Sequence, residues 1–282
     1  IFLHNKNFCR HSRCGYHNRL NRGDIVMRVI SVNVNGLRSA TSKGFFEWLA
    51  QSGADVVCLQ EIRIQPHQLS FDHQPDGWHS TFFPAEKAGY AGTAIYSKQK
   101  PDAIEQGLGF ELCDSEGRWL AARFGELTVA SLYLPSGSSS EAAQAKKDDF
   151  LRQFTPLLQQ WRNEHKSLII CGDWNIAHKN SDLKNWRGNQ KNSGFLPHER
   201  AWLDQLYGDM GFVDAYRQLY PHEEANAYTW WSNRGQAWAN NVGWRIDYQV
   251  VSPDWLDKIT HAEVYKAQRF SDHAPLIIDY NA

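Results

Sequence analysis

The sequence predicts an α/β (α+β) protein in which two β-sheets pack together with helices on the outside. Three observations lead there. From Met27 onward, short β-branched runs alternate with amphipathic stretches. Some of the many runs connect as hairpins and only a few helical stretches are long, which favours sheet packed on sheet over a purely parallel, doubly wound sheet. Acidic and amide residues recur at the carboxyl ends of the apolar runs, and strand ends that open on one edge assemble a site from distant sequence.

In chain order, residues 28–34 are dense in valine and isoleucine and form the first strand. An amphipathic stretch near 44–52 is a helix, and the runs 56–60, 92–97, 119–124 and 127–133 are strands. The longest periodic stretch, about 142–164, is a helix, and 168–171 returns to a strand. The last third holds a helix at 199–208, a run at 211–214, a strand over 244–251 and a closing strand over 274–280. The serine-rich 136–140 and the polar 179–194 are the long loops, which in a compact domain are usually functional or mobile.

With 282 residues, 42% hydrophobic and 22% charged, the chain is neither disordered nor fibrous, and residues 27–282 are expected to form one domain. Thirty Lys and Arg against 31 Asp and Glu give no overall field, so any nucleic-acid contact must rest on local patches. Residues 1–26 carry Lys6, Arg10, Arg13, Arg19 and Arg22 against Asp24 alone and lack periodicity, as expected of a flexible basic extension. No apolar run approaches the roughly 18 to 20 residues of a membrane span, and no signal-peptide core is evident. A soluble, unexported chain with no membrane partner is expected, with the cytoplasm as the default location. The odd cysteine count, with Cys58, Cys113 and Cys171 in or beside apolar runs, points to reduced buried thiols. Cys9 and Cys14 near His11 and His17 read as incidental rather than as a metal site.

Asn33 and Asn35 follow the apolar run 29–32, Glu61 follows 56–60, and Asp173 and Asn175 follow 168–172; Asp272 and His273 precede the last strand. Singly, each is explained by a turn, a strand end or a cap. Jointly, a set of carboxylates and amides without thiolates suits a hard cation such as Mg²⁺. A nearby histidine with its own aspartate suits phosphoryl chemistry.

Six ordered motifs then become recognisable: Asn33-Val34-Asn35-Gly36-Leu37-Arg38, Leu59-Gln60-Glu61, Tyr133-Leu134-Pro135, Gly172-Asp173-Trp174-Asn175-Ile176-Ala177, Gly243-Trp244-Arg245-Ile246-Asp247-Tyr248 and Ser271-Asp272-His273-Ala274-Pro275-Leu276. Together, and with Gly188-Asn189-Gln190-Lys191-Asn192 and Gly211-Phe212-Val213-Asp214-Ala215, they resemble the exonuclease III family of apurinic/apyrimidinic endonucleases from Met27 to the C-terminus. The resemblance implies a four-layered α/β sandwich and Mg²⁺-assisted hydrolysis of a DNA phosphodiester, with Mn²⁺ as a substitute ion. Glu61 is then the principal metal ligand, with Asn35 and Asp272 completing the metal environment directly or through water. Many relatives carry Asp where this chain has Asn35.

The resemblance also implies that Asp173 positions or deprotonates the attacking water, with Asn175 fixing its geometry. His273, oriented by Asp247, binds the scissile phosphate or acts as the base, so the base is Asp173 or His273. Tyr133 donates to the phosphate, and Asn33 orients its neighbours. Relatives often have Asn where Ser136 stands, so Ser136 either reaches phosphate through water or is simply loop. In-line attack leaves a 5′-phosphate and a 3′-hydroxyl. Abasic-site cleavage, 3′-to-5′ nucleotide release and removal of 3′-blocking groups are all implied.

Lys179, Lys184, Arg187 and Lys191, interleaved with Trp186 and next to Asn192, form the expected phosphate-contact surface. Trp230, Trp244 and Ile246 are placed by the resemblance around a pocket for an extruded abasic sugar. Ser193 is small, which favours internal cleavage over purely 3′-end work. The loop 232–241 offers Arg234 and Trp238 as candidates for insertion into the duplex, the alternative being exposed loop residues without a role. The expected partner is double-stranded DNA with an abasic site or a blocked 3′ end, and a monomer is the simplest state. Two alternatives are compatible with the same residues: a 3′-end-cleaning specialist and a non-catalytic nucleic-acid-binding regulator. The same sandwich also serves phosphoinositide phosphatases, sphingomyelinases and nonspecific deoxyribonucleases.

Overall fold

The computed structural model describes residues 26–281. The basic extension, apart from Val26, lies outside the described residues, as do Cys9, Cys14 and their neighbouring histidines. The first strands in the chain are β1 (Val26–Asn33), β2 (Val56–Gln60), β3 (His79–Phe83) and β4 (Thr93–Ser97). They are followed by β5 (Ala103–Gln106), β6 (Trp119–Phe124), β7 (Leu127–Tyr133) and β8 (Ser167–Asp173). The last third contributes β9 (Val213–Asp214), β10 (Trp230–Trp231), β11 (Gly243–Trp244), β12 (Asp247–Val251), β13 (Ile259–Val264) and β14 (Leu276–Asn281). The helices are α1 (Leu37–Ser42), α2 (Phe45–Gln51), α3 (Glu111–Asp114), α4 (Glu141–Asn163), α5 (Trp186–Asn189), α6 (Pro197–Tyr207) and α7 (Ala215–Leu219).

The strands build two six-stranded mixed sheets, ordered β13-β14-β1-β2-β4-β3 and β5-β6-β7-β8-β12-β9, plus a two-stranded ribbon of β10 and β11. Each large sheet has one parallel pair at its centre, β1 with β2 and β7 with β8, and antiparallel neighbours outside it. Read from opposite ends, the two sheets have the same pattern. Their facing sides bury Val29, Cys58, Ile95, Leu120, Val129, Ile169, Cys171 and Val251.

The outer face of the first sheet is covered by α1 and α2 through Leu37, Phe45 and Leu49, and that of the second by α4 and α6 through Phe150, Phe154, Leu158 and Leu203. Sheet-on-sheet packing with a helical layer on each side is the four-layered sandwich, because each sheet then buries both faces. The long helix starts where Ser140 Oγ accepts from the Ala143 N–H at 3.1 Å, and its buried positions 147, 150, 151, 154 and 158 form one stripe.

Several expectations need correction. The strand expected over 244–251 is two elements, because Arg245 and Ile246 leave the ladder between β11 and β12. Val26, placed in the extension by sequence, pairs with Asn281 as the first residue of β1. The loop 179–194 contains the short α5, and α6 begins at Pro197. Strands β3, β5 and β13 were not anticipated; all three lie at sheet edges. Among the described residues no helix is long and apolar enough to cross a membrane.

Candidate active site

At one edge of the sandwich the layer between the sheets turns from apolar to polar. Gln60 Nε2 donates to Ser131 Oγ at 3.0 Å, and Ser131 Oγ donates to the Leu59 oxygen at 2.8 Å, bridging the two sheets. One step further out, the fully buried Asn33 donates through Nδ2 to Asp173 Oδ2 at 2.9 Å and Glu61 Oε2 at 3.0 Å. Strand register explains the meeting: Asn33 ends β1 opposite Gln60, and Asp173 ends β8 between Tyr133 and Asp247.

The two central strands end in the same turn. After Asn33, Asn35 has φ 45° and its N–H donates to Asn33 Oδ1 at 2.9 Å; after Asp173, Asn175 has φ 52° and its N–H donates to Asp173 Oδ1 at 2.9 Å. Asparagine tolerates this left-handed conformation better than most side chains. Glu61 also lies at positive φ, 56°. Strand ends that would otherwise continue are thus bent, and their side chains face one cleft of about 800 Å³.

Asp247, with no exposed surface, holds His273 Nδ1 at 2.9 Å through Oδ2, while His273 Nε2 stands 3.8 Å from Asp173 Oδ2. Burial opposes a charged ring, but the Asp247 and Asp173 carboxylates outweigh it and raise His273 to about 10. Burial, reinforced by Asp247, pushes Asp173 up to about 7 against the pull of His273 and the Asn33 amide. Burial and the neighbouring carboxylates Glu61 and Asp173 keep the Tyr133 phenol protonated, a neutral donor at the cleft. The Tyr133 ring lies 4.8 Å from the Arg118 guanidinium, which also donates to the Tyr133 oxygen at 2.9 Å. Arg118 and Arg63, which pairs with Glu61, were not anticipated; Arg118 sits mid-run with no local motif, and Arg63 follows Glu61 by two positions.

Two side-chain groups have metal-binding chemistry. Glu61 and Asp272 line the cleft, with Asp272 fixed by Asn35 Nδ2 at 2.8 Å and Trp230 Nε1 at 3.1 Å. Burial disfavours the Asp272 charge, but His273, Asn35 and Trp230 together hold its carboxyl below the usual range. Asp173, Asp247 and His273 also bring ligand atoms within 4.8 Å of one another. Asp247 and His273 already satisfy each other, whereas the first group is all-oxygen and faces open space. That donor set fits a hard divalent cation.

The cleft is also lined by Tyr133, Ser136, Lys191, Asn192, Ser193, Trp230, Trp244 and Ile246. Trp230 pairs with Trp244 across the ribbon, their rings edge-on at 6.3 Å, and Ile246 packs against them. Asn33 and Asp247 stand behind this surface, bonded to residues that face it. All four anticipated basic residues, Lys179, Lys184, Arg187 and Lys191, are exposed, and Lys179 also pairs with the exposed Asp204. Arg234 is exposed, whereas Trp238 is held between Trp231, at 4.4 Å, and Arg269, at 4.9 Å.

Comparison with known proteins gives one family. The sequence model of the Endonuclease/Exonuclease/phosphatase family matches residues 30–273. An exodeoxyribonuclease of Bacillus subtilis is 39% identical over 90% of this chain and all of that protein. A DNA-(apurinic or apyrimidinic site) endonuclease of Dictyostelium discoideum is 35% identical over 90% of this chain and 71% of that protein. Among solved structures, an AP endonuclease from Archaeoglobus fulgidus superposes with a TM-score of 0.81 at 25% identity, covering 91% of this chain and 100% of that one. A 3′-5′ exonuclease from Neisseria meningitidis matches with the same TM-score and coverage at 26% identity.

Proposed function

The chain belongs to the Endonuclease/Exonuclease/phosphatase family, and on that premise we propose that it hydrolyses the DNA phosphodiester 5′ to an abasic site, leaving a 3′-hydroxyl. It also removes 3′-terminal nucleotides and 3′-phosphates. The observation that carries this proposal is the pairing of a buried Asp247–His273–Asp173 arrangement with an aromatic wall of Trp230 and Trp244 in one cleft.

Asp173 is the base. Asn33 and the Asn175 N–H hold its two oxygens at the cleft and burial raises its carboxyl, whereas at His273 the Asp247 and Asp173 carboxylates outweigh burial and favour the protonated ring. His273 therefore donates to a phosphate oxygen through Nε2 while Asp247 holds the other ring nitrogen. Asn33 and the Asn175 N–H each occupy one Asp173 oxygen and aim the carboxylate at the attacking water. Tyr133 donates to the phosphate as negative charge builds up on it. Glu61, Asp272 and Asn35 would hold Mg²⁺, or Mn²⁺ in its place, which supplies Lewis-acid polarisation and leaving-group stabilisation. Asn35 works chiefly through Asp272, since its amide nitrogen already donates there.

DNA lies across Lys184, Arg187 and Lys191 with Asn192 on a phosphate, so binding weakens steeply with salt. The apolar face of Trp230, Trp244 and Ile246 receives a sugar without a base. Ser136 is exposed at the cleft and reaches phosphate through water. The chain acts as a monomer.

A duplex with one internal abasic analogue and a nicked duplex ending in a 3′-phosphate test this directly, with Mg²⁺ and with chelator. Metal-dependent cleavage of both is expected. Ser193→His is expected to abolish internal cleavage and spare 3′-phosphate removal, because bulk at this position obstructs an extruded sugar; equal loss of both activities contradicts that role.

A further inference from the structure

Lys147 lies in α4 with its side chain wholly buried, and it does not line the cleft. Its ammonium donates to Glu199 Oε1 at 2.6 Å and to the backbone oxygen of Asn175 at 2.7 Å. Glu199, equally buried in the first turn of α6, accepts through Oε2 from the Gly194 and Leu196 N–H groups at 2.7 and 3.0 Å. Gln144, nearly one turn before Lys147, adds a donor to Oε1 at 3.1 Å. Two charges with no access to water thus join the Asn175 peptide to the turn that follows Asn192 and Ser193.

Stability is a poor account of this pair. Desolvating an ammonium and a carboxylate consumes most of what their attraction returns, and buried ion pairs are often exchanged for apolar pairs without loss. Geometry is a better account. Asn175 is held in its left-handed conformation at three points: its N–H on Asp173, its side-chain amide on the Leu134 oxygen at 2.8 Å, and its carbonyl under Lys147. Gly194, at φ 90°, approaches that same carbonyl so closely that an added Cβ would stand 3.1 Å from it, and its own oxygen accepts from the Ala177 N–H at 2.7 Å.

We infer that Lys147 and Glu199 are positioning residues that fix the water-activating Asp173–Asn175 segment against the Asn192–Ser193 turn. The inference rests on the hydrolytic function proposed above. Removing the ammonium frees the Asn175 carbonyl, and the Asp173 carboxylate loses its fixed direction toward the water.

The test compares two charge-neutral double variants, Lys147→Met/Glu199→Gln and Lys147→Gln/Glu199→Gln, with the wild-type chain on the abasic and 3′-phosphate duplexes. The first keeps volume but has no donor for Asn175; the second restores one. With folding verified by near-UV circular dichroism, the first is expected to lose about 10- to 100-fold in kcat on both substrates, as displacements on an ångström scale do, with KM within about twofold. The second is expected to recover at least about fivefold of that loss. Unchanged kcat in the folded first variant, a change in KM alone, or equal losses in both variants overturns the inference. If the first variant does not fold, the second decides: kcat within about twentyfold of wild type supports the role, and a larger loss in a folded protein contradicts it. A wild-type chain inactive on both substrates overturns the proposed function, and this inference with it, before any variant is compared.

Discussion

The two sheets share a strand pattern and differ in what stands at the ends of their parallel pairs. In the first sheet these ends carry Asn33, Asn35 and Glu61; in the second they carry Asp173, Asn175 and Tyr133. The same turn follows Asn33 and Asp173, so exchanging one amide for one carboxylate separates the two chemistries. On the Asn33 side the amide spends its hydrogens on two carboxylates and leaves Glu61 facing the cleft. On the Asp173 side the carboxylate itself faces the cleft, with its charge raised in energy by burial. The metal-side and water-side roles proposed above thus share one backbone plan. The apolar layer below holds the two halves in register.

That division of labour can be broken at its base. Ile169, fully buried between the sheets, is expected on truncation to Ala to lose about 2–5 kcal/mol of stability by denaturant titration, through lost burial and a cavity. The rate per folded molecule is expected to stay unchanged, whereas a matching fall in kcat would mean that the core tunes the site.

Asn35→Asp makes the first sheet more acidic and sharpens the comparison. The bond to Asp272 is lost and two carboxylates face each other, so the metal-free protein is expected to lose roughly 1 kcal/mol. Added Mg²⁺ is expected to raise the melting temperature more than in the parent, and an equal rise in both would remove Asn35 from the metal environment.

The smallest effect lies away from both strand ends. His73 is buried on the outer side of the first sheet, and burial lowers its pKa. A base with a lowered folded pKa binds fewer protons folded than unfolded, so stability is expected to fall as pH drops through about 6.5. His73→Gln is expected to reduce the loss between pH 7.5 and 5.5 by about 1 kcal/mol or less. An unchanged loss would place the titration elsewhere.

The site was more legible in the sequence than the sheet borders were. Asn33, Glu61, Asp173 and His273 stand out because a charge or amide at the end of a fully buried run contradicts its surroundings. The edge strands His79–Phe83, Ala103–Gln106 and Ile259–Val264 were missed because each is partly exposed and carries polar residues, so neither a buried run nor a clean alternation appears. Residues 244–251 look like one strand in sequence because the apolar run continues through Ile246, while the backbone leaves the ladder to place Arg245 on Asp182 at 2.8 Å and Ile246 at the cleft. Nothing local marks Lys147 or Glu199, since their significance lies in a contact 52 residues apart. The exposed ion pair of Lys179 is equally invisible locally, because Asp204 comes from α6.

The central claim is that the second sheet's carboxylate, Asp173, activates water while the first sheet's matching amide only orients it. Single-turnover cleavage of the abasic duplex by Asp173→Asn, in saturating Mg²⁺ and with binding measured in parallel, tests this most directly. The predicted result is a loss of about 10²- to 10⁴-fold in rate per folded molecule with DNA affinity little changed, while the melting temperature falls because an amide can accept from only one of Asn33 and the Asn175 N–H. A rate within a few fold of wild type would contradict the claim and move the base to His273.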